Sequence, residues 1–123
     1  MSFIDGFVLA VASDKKQAFI EHAKTMDSMF LQWGAIRVVE CWGEDVPHGK
    51  VTDFFRAVQA KDGETVVFSW IEWPDRATRD AGMAHMQEAM KSDTRFDMQK
   101  NPPPFDGKRM IFGGFAEVLT LKK

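Results

Sequence analysis

Thr65-Val66-Val67-Phe68-Ser69-Trp70-Ile71-Glu72-Trp73-Pro74 decides the fold. The run is β-branched and aromatic and stops at a proline, which cannot donate to a ladder, so it reads as a strand. Asp62-Gly63 before it is a turn signal. Apolar side chains fall on both parities, which means that both faces of the sheet are apolar.

Upstream, Ile36 to Trp42 alternates as a second strand, with Ile36, Val38, Glu40 and Trp42 on one face and Arg37, Val39 and Cys41 on the other. Phe19, Ala23, Met26, Phe30 and Trp33 recur at steps of four and three, an amphipathic helix with Ser13 as N-cap, Asp14 in its first turn and Gly34 at its end. Phe3 to Ala12 is apolar on both parities, interrupted at Gly6, as in a central strand. The segment from Gly43 to Lys50 is rich in turn formers. Thr52 or Asp53 then caps a short helix carrying Phe54, Phe55, Ala57 and Val58, with a strand as the alternative.

Downstream, Pro74 and Asp75 open a second long helix on which Met83, Met86 and Met90 share a face, and Gly82 permits close approach of another backbone. Asp93 to Lys100 adds a short turn, and Pro102-Pro103-Pro104 forces an extended connection. Asp106-Gly107 turns into a last strand, Arg109 to Leu121.

The order strand, helix, strand, insert, strand, helix, strand gives an α+β fold over residues 1–123 as one domain. It is a ferredoxin-like four-stranded antiparallel sheet with two main helices on one face. Two helices cover one face only, yet Phe7, Trp42, Trp70 and Phe112 supply aromatics to both. A second sheet from an identical subunit would cover the other, closing a dimeric α+β barrel.

Composition narrows the function. Net charge is −2 with 28% charged residues, so there is no basic surplus for nucleic acid. Phe7 to Ala12 is too short to span a bilayer, and Asp5 stands where a signal peptide carries Lys or Arg, so neither membrane nor export is expected. The single cysteine, Cys41, and eight methionines fit a reducing compartment, with the cytoplasm as the expected location.

Three blocks carry a resemblance: Glu40-Cys41-Trp42-Gly43-Glu44-Asp45-Val46-Pro47, Val67-Phe68-Ser69-Trp70-Ile71-Glu72-Trp73-Pro74, and Pro104-Phe105-Asp106-Gly107-Lys108-Arg109-Met110-Ile111-Phe112-Gly113-Gly114-Phe115. Together they resemble the YbaA-like family of bacterial proteins, a domain of unknown function (DUF1428), from Asp5-Gly6-Phe7 through Phe115. The resemblance implies the dimeric α+β barrel, a superfamily that includes cofactor-free monooxygenases, haem-degrading enzymes, isomerases and plain ligand binders. It implies no particular activity. The Met-rich stretch from Met83 to Met98 and the triple proline before Phe105 depart from the family in detail.

The candidate catalytic residues are Glu40, Ser69 and Glu72. Glu40 shares a face with Ile36, Val38 and Trp42, where a carboxylate must be paired or change its pKa. Arg37 or Arg109 would pair it and make it structural, whereas desolvation would make it an acid or base. Pairing of Glu40-Cys41-Trp42 with Trp70-Ile71-Glu72 would bring two carboxylates and two indoles together; plain aromatic packing with Glu72 in solvent is the simpler outcome. Ser69 lacks a base in sequence and a nucleophile elbow. The candidate ligand-binding residues are Trp42, Trp70, Asp106, Arg109 and Phe112, the polar pair lying where a loop meets a strand.

His22, His48 and His85 lack metal-site spacing, so no metal is expected. Nothing near Cys41 would lower its thiol pKa. Gly113-Gly114 precedes no helix and is no phosphate loop; a bulge or close backbone approach is the reading, and no cofactor is expected.

Three functions compete. The first is a small-molecule site between sheet and helices that binds or transforms an apolar or aromatic metabolite, and whether it is an enzyme stays open. The second is a homodimer with a filled interior that acts on a protein partner through its outer surface. Single-stranded nucleic-acid binding on an open sheet ranks last, on charge.

Overall fold

The computed structural model describes residues 2–123. Strand β1 spans Phe3–Ala12, helix α1 Lys16–Gln32, β2 Arg37–Trp42, the short helix α2 Phe54–Ala57, β3 Glu64–Trp73, α3 Arg76–Ser92 and β4 Ile111–Ala116. The sheet order is β2-β3-β1-β4 and every pairing is antiparallel, the ferredoxin-like arrangement.

Local chemistry places the boundaries. Gly34 ends the first helix at φ +112°, a left-handed state that costs other residues steric energy. Asp53 caps α2 by accepting from the Arg56 amide at 2.8 Å, and Asp75 caps α3 by accepting from the Thr78 amide at 2.7 Å. Ser13 is not the cap of α1. A 3-10 turn at Ser13–Lys15 precedes the helix, and the Ser13 hydroxyl instead lies 2.7 Å from that of Thr65 on β3.

Register sets the faces. Phe3, Asp5, Phe7, Leu9 and Val11 share one with Trp73, Ile71, Ser69 and Val67. It is the helix side, because Leu9, Val11 and Val67 pack on Phe19 and Ala23 of α1. Phe3, Ile71 and Trp73 pack with Phe30 and Met83. Full burial of side chains such as Val11, Val67 and Met29 contributes about 1.5–3 kcal/mol each. Gly82 is needed where α3 crosses the sheet, since a Cβ there would come within 2.5 Å of the Trp73 ring. Of the methionine stripe only Met83 joins the core; Met90 is exposed.

On the opposite face the 43–63 insert covers one end of the sheet. Val58 packs on Ala10 and Val66, with Val46 and Phe55 around them. Beyond the insert that face is open, and Phe68, Ile111 and Phe115 are exposed. The last strand is shorter than the sequence pattern predicts. Among the described residues it pairs with β1 from Ile111 to Ala116, with one further backbone bond from the Glu117 amide to the Ser2 carbonyl. Gly113 and Gly114 pair in regular register, without a bulge, and close approach is the reason for Gly114: a Cβ there would lie 2.8 Å from the Phe3 ring and from Arg79.

Candidate active site

One row of residues crosses the helix side of the sheet: Phe112 on β4, Phe7 on β1, Ser69 on β3 and Glu40 on β2, each the register partner of the next. It separates the apolar cluster around Leu9 and Val67 from that around Ile71 and Trp73. The core is thus split by a line that is aromatic at one end and polar at the other. Phe7 and Phe112 stack with ring centroids 6.3 Å apart and planes 27° apart, and Phe112 remains 71% exposed, an aromatic shelf that the helices leave open.

At the polar end, Glu40 meets Asp27 of α1 and Ser69 of β3. Asp27 follows Ala23 by four residues, so the helix that buries Ala23 also turns Asp27 toward the sheet. The two carboxyls are close enough to perturb each other's protonation, and Ser69 is the register partner of Glu40. Burial, then the hydrogen bond and the charge of Asp27, push the Glu40 pKa up to about 8; the Ser69 contact opposes this. Burial raises Asp27 as well. Glu40 as a whole is exposed and Asp27 half-buried while Ser69 is buried, so solvent reaches the pair from the β2 edge and tempers the effect of burial.

The remaining candidates are not gathered here. Trp42 is on the helix side, in the cluster with Phe19, and carries the Lys16 ammonium 5.7 Å from its ring centroid. Trp70 pairs with Gly6 and Val39 on the opposite face, so the two indoles never meet. Glu72 also faces away. It accepts from the Trp70 indole at 3.2 Å and pairs with Arg37, and the partner of Glu40 is therefore Asp27 rather than Glu72. Arg109 does not reach Glu40. Its guanidinium makes two 2.8 Å bonds to Glu64 and one of 3.2 Å to Asp106, a structural clamp at one end of the sheet. Arg109 holds Glu64 at a pKa of about 2. The expectation of one pocket lined by Trp42, Trp70, Asp106, Arg109 and Phe112 is corrected by these placements; Phe112, Glu40 and Ser69 are the residues that share a row.

Sequence reasoning misses two acids. Asp27 is hidden because the helical stripe runs through Met26, although a carboxylate four residues beyond a core alanine is a signal. Asp5, 3% exposed in the middle of β1, accepts from the Trp73 indole at 2.9 Å and from Arg79 at 3.0 and 3.2 Å, which ties α3 to the sheet. Its signal is a lone acid in an otherwise apolar strand.

Elsewhere, His22, Thr25, Met26, Arg95 and Lys100 border an open groove of about 330 Å³ beside α1. Burial lowers the His22 pKa, and its ring meets Phe105 edge-on at 5.6 Å. Among the described residues no three His, Cys, Asp or Glu side chains converge as a metal site would require, and no helix is long and apolar enough to cross a membrane.

The geometry can be set beside known proteins. A family described as "Protein of unknown function (DUF1428)" matches residues 2–107. The chain belongs to the DUF1428 family. Its DUF1428 relatives include the uncharacterised protein YbaA of Escherichia coli (strain K12) and that of Shigella flexneri, each 50% identical over 119 residues, covering 97% of this chain and 98% of the relative. Two solved structures share the fold of this DUF1428 chain. A dimeric ferredoxin-like protein from an uncultured marine organism aligns with TM-score 0.56 at 12% identity over the whole of both chains. An uncharacterised NIPSNAP domain protein from Burkholderia xenovorans aligns with TM-score 0.55 at 14% identity, covering 98% of this chain and 99% of that one.

Proposed function

We propose that this DUF1428 protein is a cytoplasmic homodimer that binds a small apolar or aromatic molecule on the helix side of each sheet and moves a proton to or from it through the Asp27–Glu40 pair. The observation that carries the reading is the row Phe112-Phe7-Ser69-Glu40, which aligns an open aromatic shelf at the β4 side with a carboxyl pair on β2, buried Ser69 lying between them. A ring lying on Phe7 and Phe112 gains apolar burial and stacking. Glu40 is a carboxylic acid at neutral pH that loses its proton near pH 8, close to the range in which acid–base catalysis is most efficient. Asp27 is placed to accept a hydrogen bond from the Glu40 O–H while Glu40 is neutral, and the neighbouring Ser69 favours Glu40 once it ionises.

The dimer is supported by the open apolar face on the other side of the sheet and by the similarity to a protein described as dimeric. The exposed lone thiol of Cys41 suits a reducing compartment. The test uses native mass spectrometry of gently purified protein to find a retained small molecule. Hydrogen–deuterium exchange of that molecule in D₂O then compares wild type with Glu40→Gln and Asp27→Asn. Exchange lost in both variants supports the reading; exchange unchanged in both refutes the placement of the proton.

A second reading, a non-catalytic dimer with a filled interior, draws on the aromatic packing beneath the helices. Phe19 meets Trp42 and Phe105, and Phe30 meets Trp33 and Trp73, all within 6.3 Å between centroids. A dimer that retains no molecule and changes nothing in a metabolite panel would favour it.

A further inference from the structure

The aromatic shelf has a charged neighbour farther along β4. On the helix side that strand presents Phe112 and then Gly114, the register partners of Phe7 and Asp5 on β1. Gly114 has no side chain, and α3 fills the space above it: a Cβ there would lie 2.8 Å from Nη2 of Arg79 and 2.8 Å from the Phe3 ring. Nη2 of Arg79 therefore sits over the β4 backbone one same-face position beyond Phe112, about 7 Å along the strand. Phe112 and Gly114 are both exposed, and the Arg79 side chain keeps 23% of its surface in solvent.

One edge of the Arg79 guanidinium is fixed and another is open. Asp5 accepts from Nε at 3.2 Å and from Nη2 at 3.0 Å, and it takes a further bond from the Trp73 indole, so this buried carboxylate is saturated and sets the guanidinium plane. The Arg79 guanidinium carbon lies 5.0 Å from the Phe3 ring centroid and that of Arg76 5.8 Å from it, so two cations share one aromatic face. A guanidinium carries five N–H groups. The Nε hydrogen and one on Nη2 go to Asp5, and one on Nη1 goes to Asp80 at 2.9 Å. Among the described residues the second hydrogens of Nη1 and Nη2 have no acceptor. Asp80 is half exposed and also lies 3.6 Å from Nε of Arg76, a surface contact that another anion replaces at little cost.

We propose that Arg79 is the anion-recognition residue of the shelf, and that the molecule bound there is an aromatic or apolar carboxylate whose ring lies on Phe112 and Phe7 and whose acid group meets Nη1 and Nη2 of Arg79 in place of Asp80. The inference rests on the aromatic shelf of the reading above, adds an acid group to its ligand, and does not depend on Glu40. Two carboxylate oxygens match two neighbouring N–H groups, the planar recognition at which arginine surpasses lysine. Arg76 and Arg79 face Asp5 and Asp80, so moving Asp80 aside uncovers one positive charge, which suits a monoanionic carboxylate better than a phosphate dianion. A short methylene arm between ring and acid covers the step from the shelf to Arg79.

The test compares 3-phenylpropionate with 3-phenylpropanamide, which has nearly the same shape and no charge, by NMR titration into the intact protein at millimolar concentration. The acid is expected to bind at least about tenfold more tightly than the amide, the worth of a charge-assisted hydrogen bond. Arg79→Lys should remove most of that preference and leave the amide unchanged. Asp80→Asn tests the same contact from the exposed side of α3 without touching the Asp5 bonds, and it should tighten the acid by about threefold or more while leaving the amide unchanged. Acid and amide that bind equally, or an acid preference that neither variant alters, overturns the role of Arg79; weakening of both compounds by Phe112→Ala would then show that the shelf itself stands. Binding of neither compound sinks the anchor and the shelf together.

Discussion

Replacing Glu40 with glutamine should change how stability depends on pH more than stability itself. Glutamine keeps the shape and can still donate to Asp27, but it cannot ionise. In the wild type the folded chain holds a proton on Glu40 up to about pH 8, whereas the unfolded chain releases it near the ordinary 4.5. The folded state therefore binds more protons across that window, and stability falls as pH rises through it. A rise from 4.5 to about 8 corresponds to a ceiling of about 5 kcal/mol at 1.36 kcal/mol per pH unit; because Glu40 is exposed to solvent, screening reduces this to about 2 kcal/mol at most. Urea denaturation at fixed protein concentration from pH 5 to pH 9 is the assay. Wild type and Glu40→Gln should agree near pH 5, and the variant should be more stable by about 2 kcal/mol at pH 9. A difference that does not change over that range would show that Glu40 titrates as an ordinary acid and shares no proton with Asp27.

Other substitutions probe the frame around the site. Asp5→Ala leaves the Arg79 guanidinium and the Trp73 indole without their buried acceptor and should cost about 3–5 kcal/mol in urea denaturation; a loss under 1 kcal/mol would mean that water replaces it freely. Glu64→Gln breaks the paired bonds to Arg109. Because Glu64 is held down at about 2, its contribution is present above about pH 4.5 and disappears as pH falls toward 2, so wild type and variant should converge in acid. Gly82→Ala should destabilise by about 1–3 kcal/mol by driving a methyl into the Trp73 ring, and a neutral result would mean that α3 is free to shift. Phe112→Ala should weaken binding of any retained aromatic ligand while changing stability by less than about 1 kcal/mol, because Phe112 is largely exposed.

Much of the frame is legible because periodicity and punctuation agree. The β-branched run from Thr65 stops at Pro74, Asp75 caps the next helix, and Gly34 takes the left-handed state that its position demands. The end of β4 is not legible, since the pattern through Leu121 is that of a strand while the pairing with β1 runs only to Ala116 among the described residues. Glu40 stands out by its place among apolar neighbours, and alternation puts it on the correct side. Its partner does not, because the choice between Arg37, Arg109, Glu72 and Asp27 depends on register and on the rotation of α1. Register sends Arg37 and Glu72 to the far face, and the rotation brings Asp27 in. Trp42 and Trp70 group together by chemistry, yet neighbouring strands offset their parities and place them on opposite faces.

The most direct measurement is infrared spectroscopy of the carboxyl C=O stretch at neutral pH, taken as the difference between wild type and Glu40→Gln. A protonated-carboxyl band that is present in the wild type, absent in the variant and lost as pH rises through about 8 is the expected result. A wild type with every carboxyl ionised at pH 7 would contradict it, leaving Glu40 an ordinary edge-strand acid and the helix side of the sheet without a proton to transfer.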